Sequence, residues 1–118
     1  MNDIRFEKGS HGCKTAFDGR VLNPSIQNTL AHSFGPGETM KSGDIHFDGD
    51  ELWTSYSSEG KNLFQVAAHE IGHVLGLSHS FKSSAVMFNS YSVYNPNFKL
   101  DSDDIDVRNF VSLDHFRI

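Results

Sequence analysis

The sequence contains a single cysteine, Cys13, so no disulfide can form within the chain. That scarcity does not fix the cellular compartment, because a small secreted domain can be held together by metal ions instead. The chain also lacks any apolar run near the ~20 residues that a membrane-spanning helix needs. Residues 1–8 alternate charged and apolar side chains, unlike the continuous apolar core of a signal peptide. We therefore expect neither a membrane span nor a signal peptide in this chain.

Positive charge is scarce as well. The chain has 10 Lys and Arg against 15 Asp and Glu, a formal net charge of −5, and its basic residues are scattered singly. Because a phosphate backbone needs a concentrated basic surface, nucleic acid is not an expected partner. Leu, Ile, Val and Phe supply 31 of the 118 residues, above the roughly one-fifth share that suggests disorder. With no repeat or linker, residues 1–118 are predicted to form one domain.

The chain shows three short strand patterns ahead of its one strong helix pattern. Residues 4–6, 28–34 and 44–47 alternate in the way of strands, and residues 9–28, rich in glycine and small polar side chains, are predicted to be a loop. Strands followed by helices, without regular alternation, indicate the α+β class.

The helix is predicted over residues 63–75. Apolar residues recur there at steps of four, four and three, which traces one helix face: Leu63, Ala67, Ile71 and Val74. Gly76 follows, where a left-handed residue commonly ends a helix. A short final helix is predicted to begin near Ile105, capped by the acidic run at residues 101–104.

Three of the seven histidines lie within residues 69–79. His69 and His73 are four apart, so on a helix their Cβ atoms stand roughly 5–6 Å apart on one face, a span that suits one Zn²⁺ at ~2.0–2.1 Å per bond. A sharp turn at Gly76 would return His79 to the same ion. Three neutral ligands leave a fourth position open, which is typical of catalytic zinc.

Glu70 is predicted to be the base of such a site. It cannot share the ligand face, because consecutive helix residues point ~100° apart, and its place seven after Leu63 sets it almost on the apolar face. Zinc lowers the pKa of a bound water to about 7, and a neighbouring carboxylate can then take its proton. The alternative is a chance pair of helix histidines beside a solvated glutamate, which the two glycines and the third histidine disfavour.

Residues 69–79 resemble the zinc signature of the metzincin peptidases. Ser80 follows the last histidine, as in the matrixins, or matrix metalloproteinases; astacins have Glu there, adamalysins Asp and serralysins usually Pro. Residues 84–88 resemble the Met-turn of these peptidases, with Met87 as an apolar floor beneath the metal, although Met87 alone would equally be ordinary core packing. Asn89 stands where astacins and serralysins carry tyrosine, which weakens the alternative of a metzincin outside the matrixins.

The resemblance implies a metzincin-like zinc peptidase domain, with a small mixed sheet and an active-site helix. Its implied activity is hydrolysis of peptide bonds in extracellular matrix or other secreted proteins. The implied location is outside the cell, and the implied oligomeric state is a monomer. An extended polypeptide substrate would pair with an edge strand at Leu30 and Ala31. The rival hypothesis is a non-catalytic zinc-binding remnant of such a domain.

The resemblance also implies a second, structural zinc held by His11, His32 and His46. In matrixins the fourth ligand is an aspartate two residues after the first histidine, and this sequence has Cys13 there. A thiolate is a good zinc ligand, but Cys13 can equally be a free thiol, so both interpretations stay open.

Calcium is implied near Asp18, Asp48 and Glu51, carboxylates of the kind that bind this hard cation together with backbone carbonyls. The alternative is a solvated acidic loop. Asp44 is a candidate for a further calcium. His115 has no assigned role and is expected to be a surface histidine.

The likeness covers roughly residues 1–105 and begins at what matrixins have as their third strand. We therefore expect a partial matrixin-like catalytic domain over residues 1–118, lacking the first strands and the first helix of that family. Residues 89–91, Asn-Ser-Tyr, replace the usual Pro-x-Tyr wall and are expected to alter the main specificity pocket.

Overall fold

The computed structural model describes residues 3–9, 29–37, 41–106 and 116–117. The predicted loop at residues 9–28 falls almost wholly outside these ranges. Four residues with predictions attached lie outside them as well: His11, Cys13, Asp18 and His115.

The described residues form two small sheets and two helices. In chain order the elements are β1 (Ile4–Glu7), β2 (Ala31–Ser33), β3 (Ile45–Asp48), β4 (Trp53–Thr54), β5 (Lys61–Asn62), α1 (Leu63–Val74), α2 (Ser102–Ile105) and β6 (Phe116–Arg117). The larger sheet has the order β1-β3-β2-β6, with β1 parallel to β3 and both β3 and β6 antiparallel to β2. The smaller sheet pairs β4 with β5 in parallel. This mixed sheet with helices confirms the predicted α+β class.

Two details of the element prediction were wrong. The second strand is shorter than residues 28–34, although Thr29 and Leu30 beside it are buried. The last helix begins at Ser102 and ends at Ile105, where it was expected to begin. The reason is a reciprocal cap, since the side chain of Asp101 accepts backbone N–H groups of the first turn while the carboxylate of Asp104 accepts the N–H of Asp101.

The edge strand expected at Leu30 and Ala31 is not an edge along its whole length. Leu30 lies outside β2, and its carbonyl accepts the N–H of Asp48 at 2.8 Å. β2 itself lies between β3 and β6, because its residues His32 and Ser33 pair with Arg117 and Phe116. An unpaired strand edge offers free N–H and C=O groups, and β6 takes that place at His32 and Ser33.

Both ends of α1 are fixed by local hydrogen bonds. The side chain of Asn62 accepts the N–H of Gln65 at 3.0 Å as the N-cap. At the other end Gly76 has φ 96°, the left-handed conformation that its predicted role requires. The N–H of Gly76 donates to the carbonyl of His73 at 2.8 Å, and the N–H of Leu77 donates to the carbonyl of Gly72 at 2.9 Å. This pair of bonds is the Schellman motif, which turns the chain sharply out of the helix.

The apolar face of α1 traced in the sequence is confirmed in part, because Leu63, Ala67 and Val74 pack against Val66 and the apolar side chains of the larger sheet. Ile71 is 46% exposed, and Leu63, Ala67 and Val74 are only partly buried. The residues that α1 buries are instead mostly polar: Gln65, Val66, His69, Glu70, Gly72 and His73. The helix packs this face against β2 and the turn around Met87, so the tertiary contacts override the periodicity.

Two apolar clusters lie beneath this face. One joins the larger sheet to the helix through Leu30, Ala31, Ile45, Phe47 and Val66, and the other consists of Leu77, Val86 and Met87. A Cβ on Gly72 would overlap the Sδ of Met87. Glycine inside a helix costs about 1 kcal/mol relative to alanine, and in α1 it permits this close approach. Within the described ranges no helix has the length and apolar character to cross a membrane.

Candidate metal centre

The structure brings the three histidines of residues 69–79 together. His69 and His73 stand one turn apart on α1, with their Nε2 atoms 3.0 Å from each other. The turn at Gly76 places the Nε2 of His79 3.1 Å from that of His73. Four ligands at ~2.0–2.1 Å around one zinc would be separated by roughly 3.3 Å. The spacing of the three nitrogens therefore suits one zinc ion, and within the described residues they form the only cluster of three metal-ligand side chains.

The proton on each helix imidazole is fixed by a backbone carbonyl. The Nδ1 of His69 lies 2.8 Å from the carbonyl oxygen of Val86, and the Nδ1 of His73 lies 2.7 Å from that of Leu77. A carbonyl oxygen can only accept, so each Nδ1 carries the proton and each Nε2 presents its lone pair. Lone pairs that face each other at this distance repel unless a cation lies between them. The donor set therefore fits a metal ion, and the carbonyls orient its ligands.

Burial keeps the two helix imidazoles uncharged. Desolvation lowers the pKa of His69 to about 4, and it lowers the pKa of His73, with the neighbouring His69 adding to the effect, to about 2. Both residues are completely buried. The neutral imidazole is the form that binds zinc, so these ligands need not lose a proton near neutral pH.

Glu70 is buried beside the triad. It is 0% exposed, in keeping with its place almost on the apolar face of the helix, and burial raises its pKa to about 8. Its Oε2 accepts a hydrogen bond from the Oγ of Ser33 at 2.5 Å. Its Oε1 is also buried and has no hydrogen-bond partner within the described part of the chain. Because buried polar atoms are nearly always satisfied, this oxygen indicates a position for a water or another polar ligand.

The turn that carries Met87 is held by a residue that the sequence analysis did not single out. The carboxylate of Asp104 accepts the backbone N–H of Val86 at 2.8 Å and that of Met87 at 2.9 Å. Met87 is buried against Leu77 and Val86. The signal was present in the acidic run at residues 101–104, but local spacing assigned that run to capping alone.

The second group of predicted zinc ligands is only partly described. His32 and His46 face each other across β2 and β3, with the Nε2 of His32 3.2 Å from the Nδ1 of His46. Both side chains are buried. The other predicted ligand, His11, and the undecided Cys13 lie outside the described residues.

The predicted calcium ligands are likewise split. Asp48 is buried, its Oδ1 accepts the N–H of Asp50 at 2.9 Å, and its carbonyl oxygen lies 3.4 Å from the N–H of Glu51. Asp48 and Glu51 therefore share one turn, while Asp18 lies outside the described residues. The Oδ1 of Asp44 accepts the N–H of Asp3 at 2.9 Å, so this residue helps to hold the start of β1.

Comparison with known proteins matches this chain to one family. The sequence model described as matrixin, peptidase M10, matches residues 2–109. The chain is 51% identical over 105 residues to the hatching enzyme of Paracentrotus lividus, covering 87% of this chain and 16% of that protein. It is 48% identical to interstitial collagenase A of Mus musculus, covering 87% of this chain and 20% of that protein. It is 50% identical to matrilysin of Homo sapiens, covering 86% of this chain and 36% of that protein.

Replacing Asp104 tests the support of the Met87 turn. Asp104→Ala leaves the buried N–H groups of Val86 and Met87 without their acceptor and also removes the acceptor of the Asp101 N–H at the cap of α2, and each unsatisfied buried donor costs about 1–3 kcal/mol. For the two buried donors we expect the free energy of unfolding, measured by urea titration, to fall by about 2–6 kcal/mol. The matched control is Asp103→Ala, which removes a partly exposed hydrogen bond from Ser80 and should cost less than about 1 kcal/mol. Equal losses in the two variants would contradict the assigned role.

Proposed function

This chain belongs to the matrixin family, and from that membership we propose that it is a zinc-dependent metalloendopeptidase. The chain spans between 16% and 36% of the length of the three relatives compared above, so the activity is proposed for the site itself. The observation that carries the proposal is a group of three imidazoles beside a buried carboxylate: the Nε2 of His73 lies 3.0 Å from that of His69 and 3.1 Å from that of His79, and the ligand atoms of all three lie within 4.8 Å of one another. The proposed ligands are His69, His73 and His79.

In the proposed reaction Glu70 is the residue that moves the proton. Zinc, when bound, polarises the carbonyl of the scissile peptide bond and lowers the pKa of water towards ~7. The free Oε1 of Glu70 accepts a proton as the water oxygen bonds to the carbonyl carbon, and the carboxyl group then donates that proton to the nitrogen as the C–N bond breaks. Burial alone raises the pKa of Glu70, and the charge of a bound zinc ion would lower it again and favour the carboxylate that accepts the proton.

The rival is a non-catalytic zinc-binding domain. Such a domain needs the three imidazoles but has no use for Glu70, and burying a carboxylate with one oxygen unsatisfied lowers the stability of the fold. The presence of Glu70 in spite of this cost in stability favours turnover over simple metal storage. Activity therefore remains the better proposal.

The proposed substrate is an extended polypeptide of the extracellular matrix or another secreted protein, cleaved outside the cell. Such a chain can add to a sheet edge through its backbone, and β2 is the strand nearest the centre because it carries Ser33 against Glu70. Since β6 pairs with β2 at His32 and Ser33, a substrate strand that pairs with these residues has to displace β6.

A second zinc and a calcium complete the proposal. His32 and His46 already stand 3.2 Å apart, and His11 would be the third ligand, with the role of Cys13 open. For calcium the proposed ligands are Asp18, Asp48 and Glu51. The support is the turn that Asp48 and Glu51 share, together with the preference of calcium for carboxylate and carbonyl oxygens.

Glu70→Gln tests the proposed base. It keeps the size of the side chain but cannot take a proton, so turnover of fluorescein-labelled casein by the zinc-loaded 118-residue chain should fall about 10²- to 10⁴-fold. Zinc content, measured by atomic emission, should not change. Glu59→Gln, in an exposed loop, is the matched control and should keep full activity.

Two results of that assay would reject the proposal. Unchanged casein cleavage by Glu70→Gln would remove Glu70 from the chemistry. A wild-type chain that binds zinc but shows no chelator-sensitive cleavage would establish the non-catalytic rival in its place.

Metal analysis tests the second zinc. We expect about two zinc ions per chain, His32→Ala to remove one, and His79→Ala to remove the other, because the two groups of histidines share no ligand. A single zinc that persists in His32→Ala would refute the structural site and leave the catalytic site standing.

Proline at position 117 tests whether a substrate strand replaces β6 beside β2. Arg117→Pro removes a backbone N–H from β6, whereas Arg117→Ala preserves the backbone and serves as the control. If a peptide competes with β6, the KM for an extended fluorogenic peptide should fall about two- to tenfold in the proline variant, the equivalent of one backbone hydrogen bond. Equal KM values in both variants would show that the peptide binds elsewhere.

A further inference from the structure

The buried contact between Ser33 and Glu70 joins two elements that are far apart in the sequence. Ser33 belongs to β2 and is 2% exposed, while Glu70 lies in the middle of α1 and is 0% exposed. The hydroxyl Oγ of Ser33 donates to the Oε2 of Glu70 at 2.5 Å. This is a charge-assisted distance, since a hydroxyl on a carboxylate typically lies 2.5–2.7 Å away. Neither the zinc motif nor the Met-turn includes Ser33.

The contact makes the two oxygens of Glu70 unequal. Oε2 is held by Ser33, and Oε1 has no hydrogen-bond partner among the described residues. A glutamate side chain has three torsions and can otherwise rotate its carboxylate between several orientations. A single strong hydrogen bond on one oxygen restricts the rotation of the carboxylate and leaves the other oxygen available to a further partner.

The donor sits on a rigid support. Within β2 the backbone of Ser33 pairs with Ile45 of β3 on one side and with Phe116 of β6 on the other. A hydroxyl carried by a strand paired on both sides varies little in position, which is the requirement for holding a catalytic group to about half an ångström.

We propose that Ser33 is a positioning residue that orients Glu70 through the Oγ–Oε2 hydrogen bond, so that Oε1 faces the attacking water. The inference rests on the proposed function, because it assigns a role in the reaction of Glu70. Ser33 itself neither takes nor gives the transferred proton.

A purely structural role for Ser33 predicts different measurements. If the hydroxyl only satisfies a buried carboxylate, its removal lowers the stability of the fold and leaves kcat unchanged in the folded, zinc-loaded protein. If it orients the base, its removal lowers kcat and leaves KM unchanged, because Glu70 then spends less time in the productive orientation.

The experiment compares Ser33→Ala, Ser33→Thr and wild type on a fluorogenic peptide at matched zinc content. Ser33→Ala should lower kcat about tenfold, which corresponds to about 1.4 kcal/mol of barrier, with KM unchanged. Ser33→Thr keeps the hydroxyl on a residue that suits a strand and should recover most of that loss. Ser42→Ala is the matched control, since it removes a partly buried hydroxyl that donates to the carbonyl of Gly35 outside the site.

Repeating Ser33→Ala in a Glu70→Asp parent variant distinguishes loss of Glu70 orientation from general damage to the site. In Glu70→Asp the carboxylate is one methylene shorter and withdrawn from Ser33, so adding Ser33→Ala should produce no further loss of kcat. An equal tenfold loss in both backgrounds, or an unchanged kcat in the single variant, would overturn the inference while leaving the proposed peptidase intact. A wild-type chain without turnover, or an active Glu70→Gln variant, would instead overturn the proposed function and this inference with it.

Discussion

The arrangement of lone pairs at His69, His73 and His79 is the constraint on which the site depends. Two backbone carbonyls hold the protons of His69 and His73 on Nδ1, so their Nε2 atoms present lone pairs 3.0 Å apart, and the Nε2 of His79 lies 3.1 Å from that of His73. Each carbonyl comes from a turn that other residues fix. Leu77 follows the sharp turn at Gly76. Val86 lies in the Met87 turn, whose N–H groups donate to the carboxylate of Asp104. Asp104, although distant in the sequence, therefore helps to hold the carbonyl that orients His69.

Without an ion, no pH lets His69, His73 and Glu70 all contribute fully to the stability of the fold. The pKa values of His69 and His73 are lowered below 6.5, so the stability that they contribute is present above pH 6.5 and declines as the pH falls below it. The pKa of Glu70 is raised from 4.5 to about 8, so its contribution is present below pH 4.5 and is lost as the pH rises towards 8. The two windows do not overlap. A bound cation favours neutral imidazoles and a charged carboxylate at once, and it stabilises the folded state by mass action.

Local patterns in the sequence predicted the parts of the site that a single turn of chain determines. The spacing of His69 and His73 and the turn at Gly76 depend only on helix geometry, and the structure reproduces that geometry. The partners of Glu70 and of the Met87 turn could not be predicted in this way, because Ser33 lies 37 residues and Asp104 17 residues from the groups they bind. The same limit explains the one misplaced residue of the apolar face, since packing of the polar site against β2 leaves Ile71 exposed while Leu63, Ala67 and Val74 pack on the core.

The strand β2 makes contacts in two independent directions, through its backbone within the sheet and through the Ser33 side chain out of the sheet. Hydrogen bonds between paired strands lie in the plane of the sheet, while side chains stand roughly perpendicular to it. The backbone of Ser33 pairs in the plane with β6, and its hydroxyl reaches out of the plane to Glu70. Exchange of β6 for an extended substrate would therefore replace one set of in-plane bonds by another and leave the Ser33–Glu70 bond in place. In the proposed reaction Ser33 would therefore both pair with the peptide and position Glu70.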